Sequence, residues 1–463
     1  MTEPQRQMNV AVEGGRAYRC GLTWSQRWLY EVLGERMFTA PRLNVPLRLV
    51  LDRPVALDAA LDAVRAAVLR HDTLRTVYPV ATREAGEAEQ EIRDTVRCEV
   101  LLVETAADGR QQLEEAMSDA LDVLGRRPLG RADTPVRFAV LVRHGKAHAL
   151  VAWIQHMSVD GIGSAVLGEE LRRLAQDPDV PLPDLWQTRD LLDFQDSERG
   201  RRHARAAGAY QRRQLEQAPL RPAAGSHGHQ PLTPRFFEVA CDSTAISNGT
   251  RILAQRYGVT EEMVLLATVC LVRARLDGHD AGAVTLASSN RFHPKMRGMV
   301  ANVFQDSPLC LKIGDGGFRD LVHQAAKVSL AAYKYGYFDP REQRDAIAES
   351  TKANGRSADF GWSVSLRIAD GARLLDGESA ETAKRRAAAL RETVPLREQA
   401  RNTKIWQLEG HESRPAEAMF AVWGLGDYAA MSLIADSARY RVEQVTGLLR
   451  DFERTIVEAV EED

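Results

Sequence analysis

The side chains of this 463-residue chain best placed for chemistry lie within Val151–Gly163, VAWIQHMSVDGIG. His156 can take up and release a proton near neutral pH. Asp160, four residues later, has the character of a helix N-cap or of a charge held by a partner. Gln155 can hydrogen-bond but cannot carry a proton. Two readings stand for the group. It is a polar loop closing over a core histidine, or it presents a histidine to a cavity, where an imidazole can orient a nucleophile or serve as its general base.

The flanking residues say how such a loop is held. Ala149 to Ile154 is an apolar β-type run, and Ile162, Val166, Leu167, Leu171 and Leu174 recur at helical spacing, so the loop joins a buried strand to a helix. Pro135–Val142 and His148–Ile154, joined by RHGK, predict a hairpin with the loop at the end of its second arm. Upstream, a flexible lead precedes an amphipathic helix over Leu22–Leu33, a strand over Asn44–Leu51 and a helix over Leu57–Leu69. A strand over Cys98–Val103 and a helix over Gln111–Leu124 follow. This mixture predicts a layered α/β lobe.

The proline-rich run Asp177–Asp184 predicts a linker, dividing the chain into domains at 1–178 and 179–463. Strands are expected over Phe236–Cys241, Ala283–Ser289 and Phe360–Ile368, with two more within Ala418–Ala435. Helices are expected over Asn248–Tyr257, Thr260–Leu276, Phe318–Tyr335 and Arg439–Val460. His227 and His229 read as loop residues rather than metal ligands, because no acidic or cysteine partner accompanies them. The basic stretches Arg199–Arg213 and Lys384–Asn402 are either solvated helix faces or docking sites for an acidic carrier.

A net charge of -3 gives no global reason to expect nucleic acid or an anionic membrane as partner. Five scattered cysteines without CxxC spacing suit a reducing compartment, and no metal site is expected. The N-terminus lacks an apolar leader, and the longest apolar run, Met263 to Val272, is about half a membrane span. A cytoplasmic protein is expected.

Three stretches, in order, carry a family resemblance. LTWSQRWLY resembles the opening motif of the condensation domains of non-ribosomal peptide synthetases, and RHDTLRTVY their second motif, Arg-His-Glu-x-Leu-Arg-Thr-x-Phe. QHMSVDG resembles their active-site motif, His-His-x-x-x-Asp-Gly, with Gln155 in place of the first histidine. A later stretch, Ser288–Leu311, loosely resembles their Gly-Arg…Gly-x-Phe-x-Asn-Thr-x-Pro-Leu motif, with Arg291 on the arginine and the central Phe-x-Asn degraded. No adenylating or carrier motif is left over, so a free-standing condensation enzyme is expected.

The resemblance implies an α/β fold of two chloramphenicol acetyltransferase-like lobes in a V-shaped pseudo-dimer with a central tunnel. It implies a monomer that joins an acyl thioester to an amine or hydroxyl nucleophile, itself carrier-bound or a small molecule, in natural-product biosynthesis. The donor rides on the phosphopantetheine arm of an acyl or peptidyl carrier protein, and the chain binds no cofactor of its own. His156 is the catalytic histidine, and the Gly161 N–H the candidate donor to the thioester oxyanion. Gln155, Asp160 and Arg291 are structural at the active site. Asp160 pairs with Arg291, which on this reading reaches it from the second lobe. A coenzyme A-dependent O-acyltransferase of the same superfamily and a non-catalytic recruiting domain remain as alternatives.

Overall fold

A computed structural model describes residues 5–79, 88–221, 230–366, 394–412, 414 and 416–462. The chain divides into two compact units, Met1–His203 with Ser289–Gln305, and Ala204–Ser288 with Asp306–Asp463. The first unit thus runs past the expected boundary at residue 178, and a short segment from far along the chain completes it. The reason is local: the proline-rich run is anchored rather than slack. Arg70 Nη2 donates to the Pro183 carbonyl, Arg173 donates to Pro181 O at 2.9 Å, and partly buried Val180 and Leu182 pack on the core of this unit.

In chain order the first unit contains β1 (Gln5–Val12), β2 (Tyr18–Gly21), α1 (Trp24–Leu33), β3 (Val45–Ala56) and α2 (Leu57–Arg70). After these come β4 (Thr76–Val77), β5 (Glu89–Ile92), β6 (Val96–Glu104), α3 (Arg110–Gly125), β7 (Val136–Arg143) and β8 (Lys146–Ile154). The helices α4 (Gly161–Gln176) and α5 (Thr188–Asp196) close the run, and α6 (Glu198–Gln217) crosses the division. The main sheet has the order β1-β6-β7-β8-β3, with only β6 and β7 parallel.

β8 lies inside this sheet, with helices on both faces. Leu150, Ala152 and Ile154 pack with α2 and α4, while Ala149 and Val151 pack with α3. A strand covered on both faces reads as an uninterrupted apolar run, which explains the sequence up to Ile154. The turn before it is two residues, His144 and Gly145, both at positive φ (52° and 70°), the backbone that joins twisted antiparallel strands. The N-terminal lead expected to be flexible is instead β1, paired with β6 from Gln5↔Val103 to Val12↔Val96. Its inward residues, Val10 and Val12, alternate with outward ones, a period-2 signal spread over too few apolar residues to stand out.

The second unit carries a seven-stranded sheet, order β11-β10-β12-β14-β15-β9-β13. Its strands are β9 (Phe236–Ser243), β10 (Ala281–Ser288), β11 (Gln305–Lys312), β12 (Trp362–Leu366), β13 (Lys404–His411), β14 (Ala418–Leu425) and β15 (Ala429–Asp436). β11 opens at Gln305, the last residue that belongs to the first unit. One sheet face packs on α7 (Thr244–Tyr257), α8 (Glu261–Asp277), α9 (Gly317–Lys334) and the closing helix α11 (Val442–Glu462). α8 is buried almost all round, from Val264 to Ala274, as its unbroken apolar run requires. α10 (Pro340–Asn354) and β13 were not foreseen. The first is mostly polar, and the second is a sheet edge with a mixed burial pattern. His227, His229 and the greater part of Lys384–Asn402 lie outside the described residues. Among the described residues, no helix is long and apolar enough to cross a membrane.

Candidate active site

The chain leaves β8 by one further ladder bond, from Gln155 N–H to the Pro135 carbonyl at 2.8 Å. It then turns tightly, Ser158 N–H and Val159 N–H both donating to Gln155 O (2.9 and 3.3 Å). His156 is half-buried on this turn while its neighbours Gln155 and Met157 are buried. Its Nδ1 lies 2.9 Å from the Val159 carbonyl, an acceptor, so the neutral ring carries its proton on Nδ1 and presents Nε2 as the basic nitrogen. The backbone is held as well. Asn302 Nδ2 donates to the His156 carbonyl at 2.9 Å while Asn302 Oδ1 accepts from Phe304 N–H at 3.1 Å. Asn302 lies in the stretch whose Phe-x-Asn reads as degraded in the sequence. The asparagine itself survived, and that was the available signal.

Asp160 caps α4, its Oδ1 accepting from Gly163 N–H at 2.7 Å. The same oxygen accepts from Arg291 Nη2 at 2.7 Å, and Oδ2 from Val303 N–H at 3.0 Å. Arg291 completes its fork on the carbonyls of Met296 (2.8 Å), Met299 (2.8 Å) and Ala301 (3.2 Å). Both side chains are nearly sealed from solvent, at 4 % and 6 % exposure. The expectation that this pair ties two lobes together is corrected here, because Arg291 lies in Ser289–Gln305, part of the same unit as Asp160. The pair instead fastens the late segment onto the head of α4. Gly163 fits this closeness: a Cβ there would stand 2.7 Å from Val159 Cγ2 and 2.9 Å from the Ala301 carbonyl oxygen.

Gly161 is the first residue of α4, so its N–H is among the first-turn amides that have no acceptor within the helix. Gln155 points elsewhere. Its Nε2 donates to the Leu129 carbonyl at 3.0 Å and more weakly to that of Gly130, and its buried Oε1 has no partner among the described residues. The side chain that replaces the first motif histidine therefore props the strand end from behind.

The two N-terminal motifs supply the floor under this loop. In LTWSQRWLY, Thr23 and Gln26 form a capping box at α1, and Gln26 Nε2 also reaches Gln90 Oε1 (3.0 Å), Tyr78 OH (3.3 Å) and the Met157 carbonyl (3.4 Å). In RHDTLRTVY, Tyr78 lies 3.4 Å from Ser158 Oγ, and Thr73 Oγ1 donates to the Val300 carbonyl at 2.5 Å. Burial pushes the Tyr78 phenol well above its usual range and keeps it protonated. His71 Nε2 meets Glu170 Oε2 at 2.6 Å, joining the end of α2 to α4. Burial works to raise the Glu170 carboxyl, but the His71 hydrogen bond and the positive charge of Arg70 hold it below the usual carboxylate range. Gln26, Tyr78 and Glu170 carry no sequence signal, because their contacts join positions 52 to 131 residues apart.

The basic stretch on α6 is partly spent within the chain. Arg202 pairs with Glu198, Arg201 donates to the Asp196 carbonyl, and Arg212 pairs with Glu349 at 2.9 Å. In the described end of the second stretch, Arg397 forms bonds of 2.7 Å to Glu461. Among the described residues, no three His, Cys, Asp or Glu side chains gather as a metal-binding group.

The sequence matches the Condensation domain family over residues 22–402. It is 27 % identical, over 338 residues, to the isonitrile lipopeptide synthase of Mycobacterium tuberculosis, a match covering 68 % of this chain but only 13 % of that protein. Two further curated relatives are likewise spanned only in part, by 28 % and 5 % of their lengths. Among solved structures, the SgcC5 protein from Streptomyces globisporus is similar with a TM-score of 0.68 at 14 % identity, covering 96 % of this chain and 99 % of that one. A condensation domain of chain release from the enacyloxin polyketide synthase gives 0.70 at 16 % identity, covering 97 % and 83 %. At such identities the structures speak for the fold, which is that of condensation domains. The chain belongs to the condensation-domain family, whose members transfer acyl groups between carrier-tethered substrates in non-ribosomal peptide and polyketide synthesis.

Proposed function

We propose that this chain is a working condensation enzyme, which takes an acyl or aminoacyl group from the phosphopantetheine thioester of a separate carrier protein and passes it to an amine or hydroxyl. The observation that carries the reading is the fixed tautomer of His156. Its Nδ1 is engaged by the Val159 carbonyl and its main chain by Asn302, so Nε2 has a set direction and a lone pair. In the reaction the nucleophile's nitrogen or oxygen bonds to the thioester carbon, and the C–S bond breaks. The nucleophile's proton passes through His156 Nε2 to the departing thiolate. An α-amino group has a reference pKa near 8, so roughly a tenth of it is already neutral at pH 7 and needs chiefly orientation. A hydroxyl is far less acidic and needs His156 as a general base. The Gly161 N–H, at the positive end of α4, is the donor to the thioester oxyanion in this reading. Asp160 and Arg291 are confined to structure in this reading, each engaged with the other and with the backbone. The chain itself contributes no cofactor to this scheme.

The test pairs one acyl donor, presented on a carrier protein or on coenzyme A, with an amine and an alcohol acceptor. Product from the carrier-bound donor that falls about a hundredfold or more in His156→Ala is the expected result. Product only from coenzyme A would favour the related O-acyltransferase. No product from either donor, with the carrier still bound, would leave a recruiting domain. A rate unchanged in His156→Ala with the alcohol would remove the general-base role.

A further inference from the structure

The first unit contains a surface pocket of about 250 Å³, lined by Trp186, Asp190, Asp193, Phe194, Arg199, Phe292 and His293. None of these residues belongs to the 155–161 loop. Its walls are aromatic. Trp186 and His293 stack at 4.3 Å with planes 12° apart; Trp186 and Phe194 are 6.0 Å apart at 36°, and Phe194 and Phe292 are 5.6 Å apart at 53°. Trp186 and His293 thus stack nearly flat, while Phe194 and Phe292 are tilted against their neighbours. Phe292 is 46 % exposed, a large apolar side chain at the surface that the core does not use. The lining also carries charge of both signs, Asp190, Asp193 and Arg199. Asp190 is oriented by accepting the Gln187 N–H at 2.8 Å in the first turn of α5. Asp193 lies one turn further on, only loosely associated with Arg189 at 3.8 Å. Arg199, at the start of α6, is the one cation among the lining residues.

We infer that this cavity binds a small zwitterion of the amino-acid or betaine class. Its ammonium sits among the rings beside Asp190 and Asp193, and its carboxylate lies at Arg199. Ring faces attract an organic cation through their quadrupole, and two carboxylates one turn apart on the same helix reinforce that attraction. A simple cation leaves the Arg199 guanidinium unanswered, and a simple anion meets both aspartates. Only a ligand with both charges satisfies every lining group. The volume falls just under the roughly 300–1,000 Å³ usual for drug-sized ligands, which restricts the occupant to a few carbons. The site stands independently of the role of His156. It has one physical link to the motif loop: Phe292 and His293 directly follow Arg291, whose guanidinium holds Asp160.

The test is calorimetric titration of the full chain with glycine betaine, tetramethylammonium and acetate. Hydrogen exchange with and without betaine then locates the site. Saturable binding of betaine is expected, at least about threefold tighter than tetramethylammonium, with no binding of acetate. Phe292→Ala and Asp193→Asn should each weaken betaine about three- to tenfold, and Arg199→Ala should erase the preference over tetramethylammonium. All three positions are at the surface, so the variants should melt like the parent. Amides of 186–199 and 289–305 should exchange more slowly with betaine present. No saturable heat with betaine, acetate binding as tightly as betaine, affinity unchanged in Phe292→Ala and Asp193→Asn, or protection elsewhere in the chain would each overturn the assignment.

Discussion

Asp160 and Asp306 are both buried carboxyl groups, at 3 % and 8 % exposure, one heading α4 in the first unit and one near the start of β11 in the second. Asp160 is met by a guanidinium and two backbone N–H groups. Asp306 is met only by hydroxyls, Ser363 Oγ at 2.8 Å and Thr285 Oγ1 at 3.3 Å, both on Oδ2, while its buried Oδ1 has no partner among the described residues. Burial pushes the Asp306 pKa up to about 6, with the hydroxyls opposing only in part. Similar burial thus leaves one carboxyl group gripped by an arginine and backbone N–H groups, and one pushed up in pKa among hydroxyls. The difference is the partner, since hydroxyl dipoles do not replace the charge-assisted fork of an arginine.

The largest effect that would sharpen this contrast comes from stripping Asp160 of its partner. Arg291→Ala and Asp160→Ala should each destabilise by about 3–5 kcal/mol, because the remaining buried charge is stranded. The double variant should lose less than the two losses added. Thermal or denaturant melts of the three variants decide it, and full additivity would show that the two residues act apart.

Asp306→Asn should do the opposite. In the native chain an acid with a raised pKa holds its proton more tightly than in the unfolded chain. Its contribution to stability is therefore complete below about pH 3.8 and is lost as pH rises through about 6. Asparagine has no such dependence. The variant should gain about 1–3 kcal/mol over the parent at pH 7–8, and the gain should shrink toward zero near pH 4. A gain that is constant with pH, or a loss at pH 8, would mean that Asp306 is not strained by its charge.

Gly163→Ala probes the same anchor through space rather than charge. The added methyl meets Val159 Cγ2 and the Ala301 carbonyl, so a loss of about 1–3 kcal/mol is expected. The smallest effect belongs to Asn302→Ala. It removes one hydrogen bond to the His156 carbonyl, worth about 0.5–1.5 kcal/mol, and activity should fall by more than the melting temperature suggests. Activity that follows stability alone would reduce Asn302 to a packing residue.

The sequence displayed what repeats along the chain and concealed what returns from a distance. β8 could be read because both of its faces are covered, and α4 because Leu167, Leu171 and Leu174 recur at helical spacing. β1 was lost because two inward valines are too few to mark an edge strand against a polar background. The partnership of Asp160 with Arg291 spans 131 residues, and no periodicity reports a contact of that reach; only the family resemblance named the arginine. The same resemblance passes over Asn302, a surviving asparagine inside an otherwise degraded Phe-x-Asn stretch. Nothing local distinguishes Asp306, whose neighbours Thr285 and Ser363 come from two other strands.

The late segment 289–305 also sets an order of events during synthesis. The first unit needs Arg291, Val300, Ala301 and Asn302 to close around the 156–160 loop, yet nearly ninety residues of the second unit emerge from the ribosome before them. Contacts of such long separation form slowly, and domains ordinarily fold as they emerge. Until residue 305 is made, the head of α4 carries an unpaired buried carboxylate and an open seam beside Gly163. A fragment ending at residue 203 would hold that unfinished state permanently. Attempts to divide this chain for engineering, or to express its first unit alone, would have to graft the returning segment as well.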